Sequence, residues 1–271
     1  MLKNEGDRLL RVVVCTPKSE YFRVSNRRAH NIRQLADQEK AKQQHDTLKS
    51  ILKEFGCEVI DIPELSGHPN SVFTRDTALC TPNGYIKLRM GLSTRKGEED
   101  WMSQVLESLG VPNVGNIKEP GTVEGGDIIL AGSVAFVGRS SRTNNEGVKQ
   151  ISSLLSAMNY EIRSISVPKP YLHLGGAMSV IGPKRILYCH RIFPNDFFKG
   201  FDKIEISYHE FVSGNVICLG DNEIVADAAN IEVIEKLEGK GLIVHAVDLS
   251  EFVKGKGGPS CLILPIERKK E

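Results

Sequence analysis

Short apolar runs alternate along the chain with longer stretches at helical spacing, and glycine, proline and asparagine punctuate the joins. Residues 10–15 predict a buried strand closed by Pro17. The spacing of Ile32, Leu35, Ala36, Leu48, Ile51, Leu52 and Phe55 predicts a helix over 31–55, stopped by Gly56. A strand over 58–62 ends at Pro63. Residues 21–31 are polar and mixed, and read either as a loop or lid over a site or as a lead into the helix.

A unit of two short strands, a helix and a third strand then recurs. One copy has strands 77–80 and 85–88 around Pro82-Asn83-Gly84, a hairpin signal, then helix 98–109 and strand 113–117. The next has strands 127–131 and 134–138, helix 144–158 and strand 161–167. Another has strands 177–181 and 185–188, a weak helix over 195–200 and strand 203–206. Strands 215–219 and 223–226, helix 229–237 and strand 242–247 follow. The last copy is split across the termini, with strand 261–264 at the end and 11–15, the long helix and 58–62 at the start.

Five ββαβ units with a period of about 40–50 residues signal a repeat architecture. The expected fold class is α/β: a five-bladed α/β propeller forming one domain over 1–271. An ordinary open α/β sheet is the competing arrangement. A radial arrangement gathers equivalent loops at one mouth. Asp76 precedes one first strand, Glu124 and Asp127 another and His173 a third, while Cys261 opens its own. Radial repetition would carry these scattered residues to one axis.

Composition narrows the field only modestly. The 271 residues are 40% hydrophobic and 25% charged, ordinary for a soluble protein with a sizeable core. A net charge of +1 gives no basic surplus for nucleic acid. The dense run Glu267-Arg268-Lys269-Lys270-Glu271 reads as a solvated tail. No apolar run is long enough for a bilayer, and residues 1–10 lack the apolar core of a secretory signal, so a cytoplasmic location is expected. A homodimer is the default expectation for a soluble enzyme.

Cys15, Cys57, Cys80, Cys189 and Cys218 lie in or beside apolar runs and read as small buried hydrophobes of a reducing compartment. Cys261 differs, because it follows Gly255-Lys256-Gly257-Gly258-Pro259-Ser260 at a loop-to-strand junction that a ligand can reach. A thiolate is a strong nucleophile once its pKa is lowered or its proton removed. His173, in Tyr171-Leu172-His173-Leu174-Gly175-Gly176, is the candidate proton handler. His30, His45, His68, His190, His209 and His245 lack such a setting. Glu124, in Thr122-Val123-Glu124-Gly125-Gly126-Asp127, is placed to orient the histidine. Taken alone, that stretch is also what an ordinary strand-opening turn looks like.

The carboxylates have neither transition-metal nor calcium spacing, so no metal is expected. Spare carboxylates around a thiol suggest a cationic substrate. A guanidinium pairs bidentately with carboxylates, and its delocalised charge makes it a poor electrophile. Carboxylates that localise the charge and aim the carbon at sulfur would help by positioning and electrostatics.

Five segments, in order, carry a family resemblance: Asn70-Ser71-Val72-Phe73-Thr74-Arg75-Asp76, Glu124-Gly125-Gly126-Asp127, 137–144, Leu172-His173-Leu174 and Pro259-Ser260-Cys261. They resemble those of the guanidino-group-modifying enzymes, and length and the motif Arg139-x-x-Arg142-Thr143-Asn144 look most like the dimethylarginine dimethylaminohydrolase branch. The resemblance implies the five-bladed pentein propeller and a small guanidino substrate, with no cofactor. It also implies roles. Cys261 would attack the guanidinium carbon, forming an amidino-thioether. His173 would protonate the departing amine and then activate water, and Glu124 would hold His173 and contact the guanidinium. Asp76 would grip the guanidinium nitrogens. Arg142, and after it Arg95, would bind the substrate α-carboxylate. Phe73 would line the pocket, with Asn70 beside it, and Asp127 would brace its turn.

Two departures bear on the substrate. Dimethylarginine hydrolases usually carry an acidic residue where Arg75 stands, so Phe73-Thr74-Arg75-Asp76, like Asn70, resembles arginine deiminases and dihydrolases. Those deiminases carry an aspartate two residues after the histidine, where this chain has Gly175. Arginine or methylated arginine, and citrulline or ornithine, stay open. The rival readings are a non-catalytic propeller such as a ribosome anti-association factor, which has no use for Cys261, His173, Glu124 and Asp76 together, and a Cys-His peptidase or amidase, which has no use for the extra carboxylates.

Overall fold

The computed structural model describes residues 1–207 and 212–270. Five three-stranded sheets make up the fold. The first to form in sequence joins the two ends of the chain: β1 (Arg8–Cys15) pairs in parallel with β2 (Glu58–Ile62), and α1 (Gln38–Glu54) crosses between them. The next sheet contains β3 (Ala78–Thr81), β4 (Gly84–Lys87) and β5 (Asn113–Asn116), with α2 (Glu98–Ser108) as its crossover. Then come β6 (Ile128–Ala131), β7 (Val134–Arg139), α3 (Asn145–Ser156) and β8 (Glu161–Ser166). β9 (Met178–Val180), β10 (Arg185–Cys189) and β11 (Asp202–Ile206) form the fourth. β12 (Ile217–Gly220), β13 (Glu223–Asp227), α4 (Ile231–Glu238) and β14 (Ile243–Val247) form the fifth. After the short α5 (Ser250–Val253), β15 (Leu264–Lys269) returns to pair antiparallel with β1 and completes the first sheet.

Every sheet repeats one scheme, with the middle strand antiparallel to the first and parallel to the third. The parallel step requires a crossover, and that is where the helices lie. First strands of neighbouring sheets pack together: β15 against β3, β6 against β9, and β9 against β12. Of these, β3, β6, β9 and β12 are wholly apolar or nearly so and are buried along their length, as strands at the centre of a radial fold must be. The fold is the five-bladed α/β propeller of the pentein type. No helix among the described residues is long and apolar enough to cross a membrane.

Three expected elements differ. The long helix begins at Gln38, not at 31, because the Asp37 carboxylate takes the Lys40 backbone N–H as an N-cap and Asn31 sits at φ 57°. The weak helix over 195–200 is absent. Its apolar positions instead build a cluster in which Phe193, Phe197 and Phe198 pack on one another and on Phe136. Five residues between Pro194 and Gly200, the latter at φ 90°, are too few to nucleate a helix. The last strand starts at Leu264 rather than Cys261, and the basic run is not a tail. Ile266 and Arg268 face inward, and Arg268 donates to the carbonyls of Asp7 and Cys218.

The N-terminal residues are tied to the first strand β6 and to Arg75. Glu5 donates its backbone N–H to the Leu130 carbonyl, and its carboxylate accepts from Leu130 N and from Arg75. A cavity of about 40 Å3, with room for water, lies between Glu5, Arg75 and Arg268 on one side and Cys261 on the other.

Candidate active site

Each first strand is approached through a tight turn, and the turns carry the polar residues. A 3-10 turn over Thr74–Asp76 presents Asp76, and one over Gly125–Asp127 follows Glu124. His173 stands before the turn Leu174–Gly176, and Cys261 lies within Pro259–Leu262. Short turns suit this task because consecutive backbone amides point inward while the following strand anchors them. Cys261 therefore lies in a turn like the others, and does not open a strand.

The His173 Nε2 and Glu124 Oε2 atoms are 2.8 Å apart, and His173 Nδ1 is 3.8 Å from Asp76 Oδ1. Glu124 is enclosed and saturated. It accepts the backbone N–H groups of Gly91 and Leu92, and Arg142 Nη1 reaches its two oxygens at 3.1 and 3.2 Å. Asp76 accepts Gly126 N–H at 3.1 Å and Arg95 Nη1 at 2.6 Å. Gly126 has to be glycine: a Cβ there would stand 2.8 Å from the His173 ring and 3.0 Å from Asp76 Oδ1. Asp127 braces the turns, accepting Leu174 N–H on one oxygen and the Ser140 and Thr143 hydroxyls on the other.

Arg95 is committed. Its Nε and Nη2 meet Glu98 Oε2 at 2.8 and 2.7 Å, Nη1 meets Asp76, and Nη2 also donates to the carbonyls of Phe73 and Asn70. That is a side chain fixing the Asp76 turn in place. Arg142 keeps more of its fork open: among the described residues, its guanidinium hydrogen bonds run from Nη1 to Glu124. Arg75, next to Asp76, points the other way, to Glu5 at 2.6 Å and the Ile128 carbonyl at 3.0 Å.

A pocket of about 20 Å3 opens onto Cys261, His173, Asp76, Arg142, Phe73 and Asn70. Asn70 Oδ1 is buried and accepts no hydrogen bond from a described residue. The loop 21–31 is not helical, and its end reaches this pocket. His30 and Asn31 line it, and Asn31 Oδ1 accepts from Lys256 Nζ at 2.6 Å. His30 was set aside in the sequence because nothing local marks it, yet the pocket has it on its wall. His45, in contrast, is buried in the core against Thr16, where burial and Lys49 push its pKa down to about 4. His209 lies outside the described residues.

Electrostatics follow from this packing. Burial alone would lower the His173 pKa, but the carboxylates of Asp76, Asp127 and Glu124 outweigh it and raise it to about 9. The imidazole is therefore protonated at neutral pH. Glu124 suffers the same desolvation, which its bonds to His173 and Arg142 more than offset, so it stays ionised far into acid. Burial, helped by Asp76, pushes the Cys261 thiol up to about 11. Cys15, Cys57, Cys80, Cys189 and Cys218 are buried and unpaired with one another, as their apolar settings suggest.

Asp76, Glu124 and His173 each offer a ligand atom within 4.8 Å of the others. The donor set fits a metal poorly, because a protonated histidine cannot ligate and Arg95 and Arg142 already neutralise the carboxylates. Sequence reasoning passed over Asn215, which turns its side chain to the Cys261 loop. The repeat itself is the signal that would have found it, since Asn215 precedes β12 as Asp76 precedes β3.

The N(G),N(G)-dimethylarginine dimethylaminohydrolase of Pseudomonas aeruginosa is 30% identical over 228 residues, covering 84% of this chain and 89% of that protein. A solved structure of that enzyme complexed with citrulline superposes with a TM-score of 0.85 at 28% identity, over 95% of this chain and 99% of that one. The substrate-bound N-terminal domain of ArgZ, an arginine dihydrolase of cyanobacteria, shares the fold at 21% identity and a TM-score of 0.83, over 96% and 98% of the two chains. The chain is thus a hydrolase acting on guanidino C–N bonds. The chain belongs to the family described as N,N dimethylarginine dimethylhydrolase, eukaryotic, whose model matches residues 18–268.

Proposed function

We propose that this protein hydrolyses Nω-methylated arginine to citrulline and methylamine or dimethylamine through a covalent intermediate on Cys261. The observation that carries the reading is the meeting of Cys261, protonated His173 and the Asp76 carboxylate around one pocket, with Glu124 bonded to His173 behind it. A guanidinium seated against Asp76 brings positive charge to the sulfur. That charge lowers the thiol pKa from its high resting value, so the thiol releases its proton to solvent and the nucleophile is generated when substrate is present.

The sulfur then bonds to the guanidinium carbon, and the C–N bond to the substituted nitrogen breaks as His173 gives that nitrogen its proton. The neutral imidazole next takes a proton from water, whose oxygen bonds to the same carbon. The C–S bond breaks, leaving a ureido product and the thiol. Glu124 keeps His173 in its orientation and stabilises its cation in both steps. Arg142 is the donor for the substrate α-carboxylate. Arg95 supports binding through Asp76, and Asn70 offers its unpartnered oxygen to the substrate ammonium.

One position supports methylated over free arginine: Gly175, which lines a cavity with His173 and Cys261, puts no carboxylate where the deiminases have one. A dimethylated nitrogen has no N–H to donate, so a wall without acceptors suits it. The alternative, arginine deiminase or dihydrolase action releasing ammonia, draws support from the ArgZ fold and from Phe73-Thr74-Arg75-Asp76. Incubation with arginine, asymmetric dimethylarginine and agmatine, with products resolved by mass spectrometry, tests both. Citrulline with dimethylamine is the expected result. Citrulline or ornithine with ammonia from arginine alone would overturn the substrate, and no product from any of them would overturn the reading.

A further inference from the structure

Asn215 is almost fully enclosed and its amide is spent on two catalytic turns at once. Its Nδ2 donates to the Gly175 carbonyl and to Ser260 Oγ, both at 2.8 Å, and stands 3.9 Å from Cys261 Sγ. Its Oδ1 accepts the Ser260 backbone N–H at 2.9 Å. The side chain thus ties the turn that follows His173 to the turn that carries Cys261. Gly258 makes room for it, since a Cβ at that position would meet Asn215 Oδ1 at 2.7 Å. Asn215 is itself held by its backbone N–H on the Val212 carbonyl, directly before β12.

We infer that Asn215 is a positioning residue of the reaction, which sets the sulfur's place relative to His173 and turns the positive, N–H end of its amide dipole toward the thiolate at 3.9 Å. It rests on the reading of Cys261 as nucleophile. The geometry is specific to asparagine. Aspartate has the same shape but no N–H, and would set a carboxylate against two oxygens and the sulfur. Neutral N–H groups that point at a thiolate favour the ionised form. The charged and titratable groups around the sulfur are Asp76, Arg75 and Arg95, with His173 and Lys256 on the pocket wall. None of them is hydrogen-bonded to Asn215 among the described residues.

The test is the pH profile of Cys261 alkylation by iodoacetamide, read by peptide mass mapping in the intact enzyme and in Asn215→Ala and Asn215→Asp. This readout requires no turnover, so it stands whether or not the substrate has been named correctly. The alkylation midpoint is expected to move up by about half a unit in Asn215→Ala and by at least about one unit in Asn215→Asp, tenfold slower labelling at neutral pH. The turnover number should fall about 10- to 100-fold in Asn215→Ala, with KM changing less. If Asn215→Asp does not fold, Asn215→Ala decides alone. A folded Asn215→Ala with an unmoved midpoint overturns the proposal, whether its turnover falls or not.

Discussion

His173 Nε2 lies 2.8 Å from Glu124 Oε2 with both side chains out of solvent, and Glu124 adds to Asp76 and Asp127 in keeping the imidazole charged. Glu124→Gln should therefore bring the His173 pKa down from about 9 toward its ordinary value near 6.5. The alkaline limb of the rate profile should move to lower pH by one unit or more, with turnover falling about 10²- to 10⁴-fold. A limb that stays where it is would remove Glu124 from this role.

Stability should carry the same signature. The His173 pKa is raised in the fold, so its contribution is fully present below pH 6.5 and disappears as pH rises through about 9. Thermal scans should show the melting temperature of the native protein declining across that window, and the decline should be shallower in His173→Gln. Parallel slopes in the two proteins would mean that His173 is neutral in the fold.

Cys261→Ser should lose turnover by at least about 10³-fold while keeping its fold, because the residue sits half-buried in a turn and not in the core. A site built for cations makes a second demand on the thiol. Chloroacetamidine should inactivate the enzyme at least about tenfold faster than chloroacetamide at neutral pH, since only the amidine brings a charge to Asp76 and Glu124. Equal rates would favour an amidase-like site for neutral substrates.

Two arginines assigned together from the sequence should separate in experiment. Arg95→Ala leaves Asp76 and Glu98 buried without their partner and should cost about 3–5 kcal/mol in denaturant unfolding. Arg142→Ala should raise KM for substrates bearing an α-carboxylate about 10- to 100-fold more than for agmatine, which has none. If agmatine suffers equally, Arg142 acts only by holding Glu124.

Much of this was legible in the chain because a radial repeat leaves a periodic trace. Asp76, Glu124, His173 and Cys261 could be connected since each stands before, or at, the expected start of a first strand. What the pattern missed was set by contacts distant in sequence. Nothing local says that Arg95 is consumed by Glu98 and Asp76, or that Asn31 reaches across to Lys256. The 31–37 stretch has helical spacing, but the Asp37 cap and the Asn31 backbone place the helix start later. Arg268 read as a tail residue because charge outweighs period-two alternation in so short a window, whereas pairing with β1 turns it inward.

Arg75 gives a double-mutant test of the axial ion pair. Arg75→Met strands Glu5 in the interior and should destabilise by about 3–5 kcal/mol, and adding Glu5→Gln should recover a large part of that loss. The ratio of dimethylarginine to arginine turnover should stay within about twofold in the double variant, because Arg75 is directed to Glu5 and the Ile128 carbonyl. A larger change in that ratio would make Arg75 a specificity residue after all.

Gly175 is where substrate choice should be movable. Its backbone is not in the left-handed region, and a Cβ there would come 3.1 Å from the Gly126 carbonyl and 4.0 Å from Asn215 Nδ2, a crowding of a few tenths of an ångström. Gly175→Asp should be tolerated, and its carboxylate would stand two residues after His173. A nitrogen carrying hydrogens can donate to that group, whereas a dimethylated nitrogen leaves it desolvated and unpaired, a difference of about 1–3 kcal/mol. Arginine hydrolysis should therefore gain on dimethylarginine hydrolysis by about tenfold or more in kcat/KM, measured by competition of the two substrates in one vessel. A ratio unchanged in a folded Gly175→Asp would mean that the guanidino nitrogens are read elsewhere, and would leave Asp76 and Glu124 as their only recognised partners.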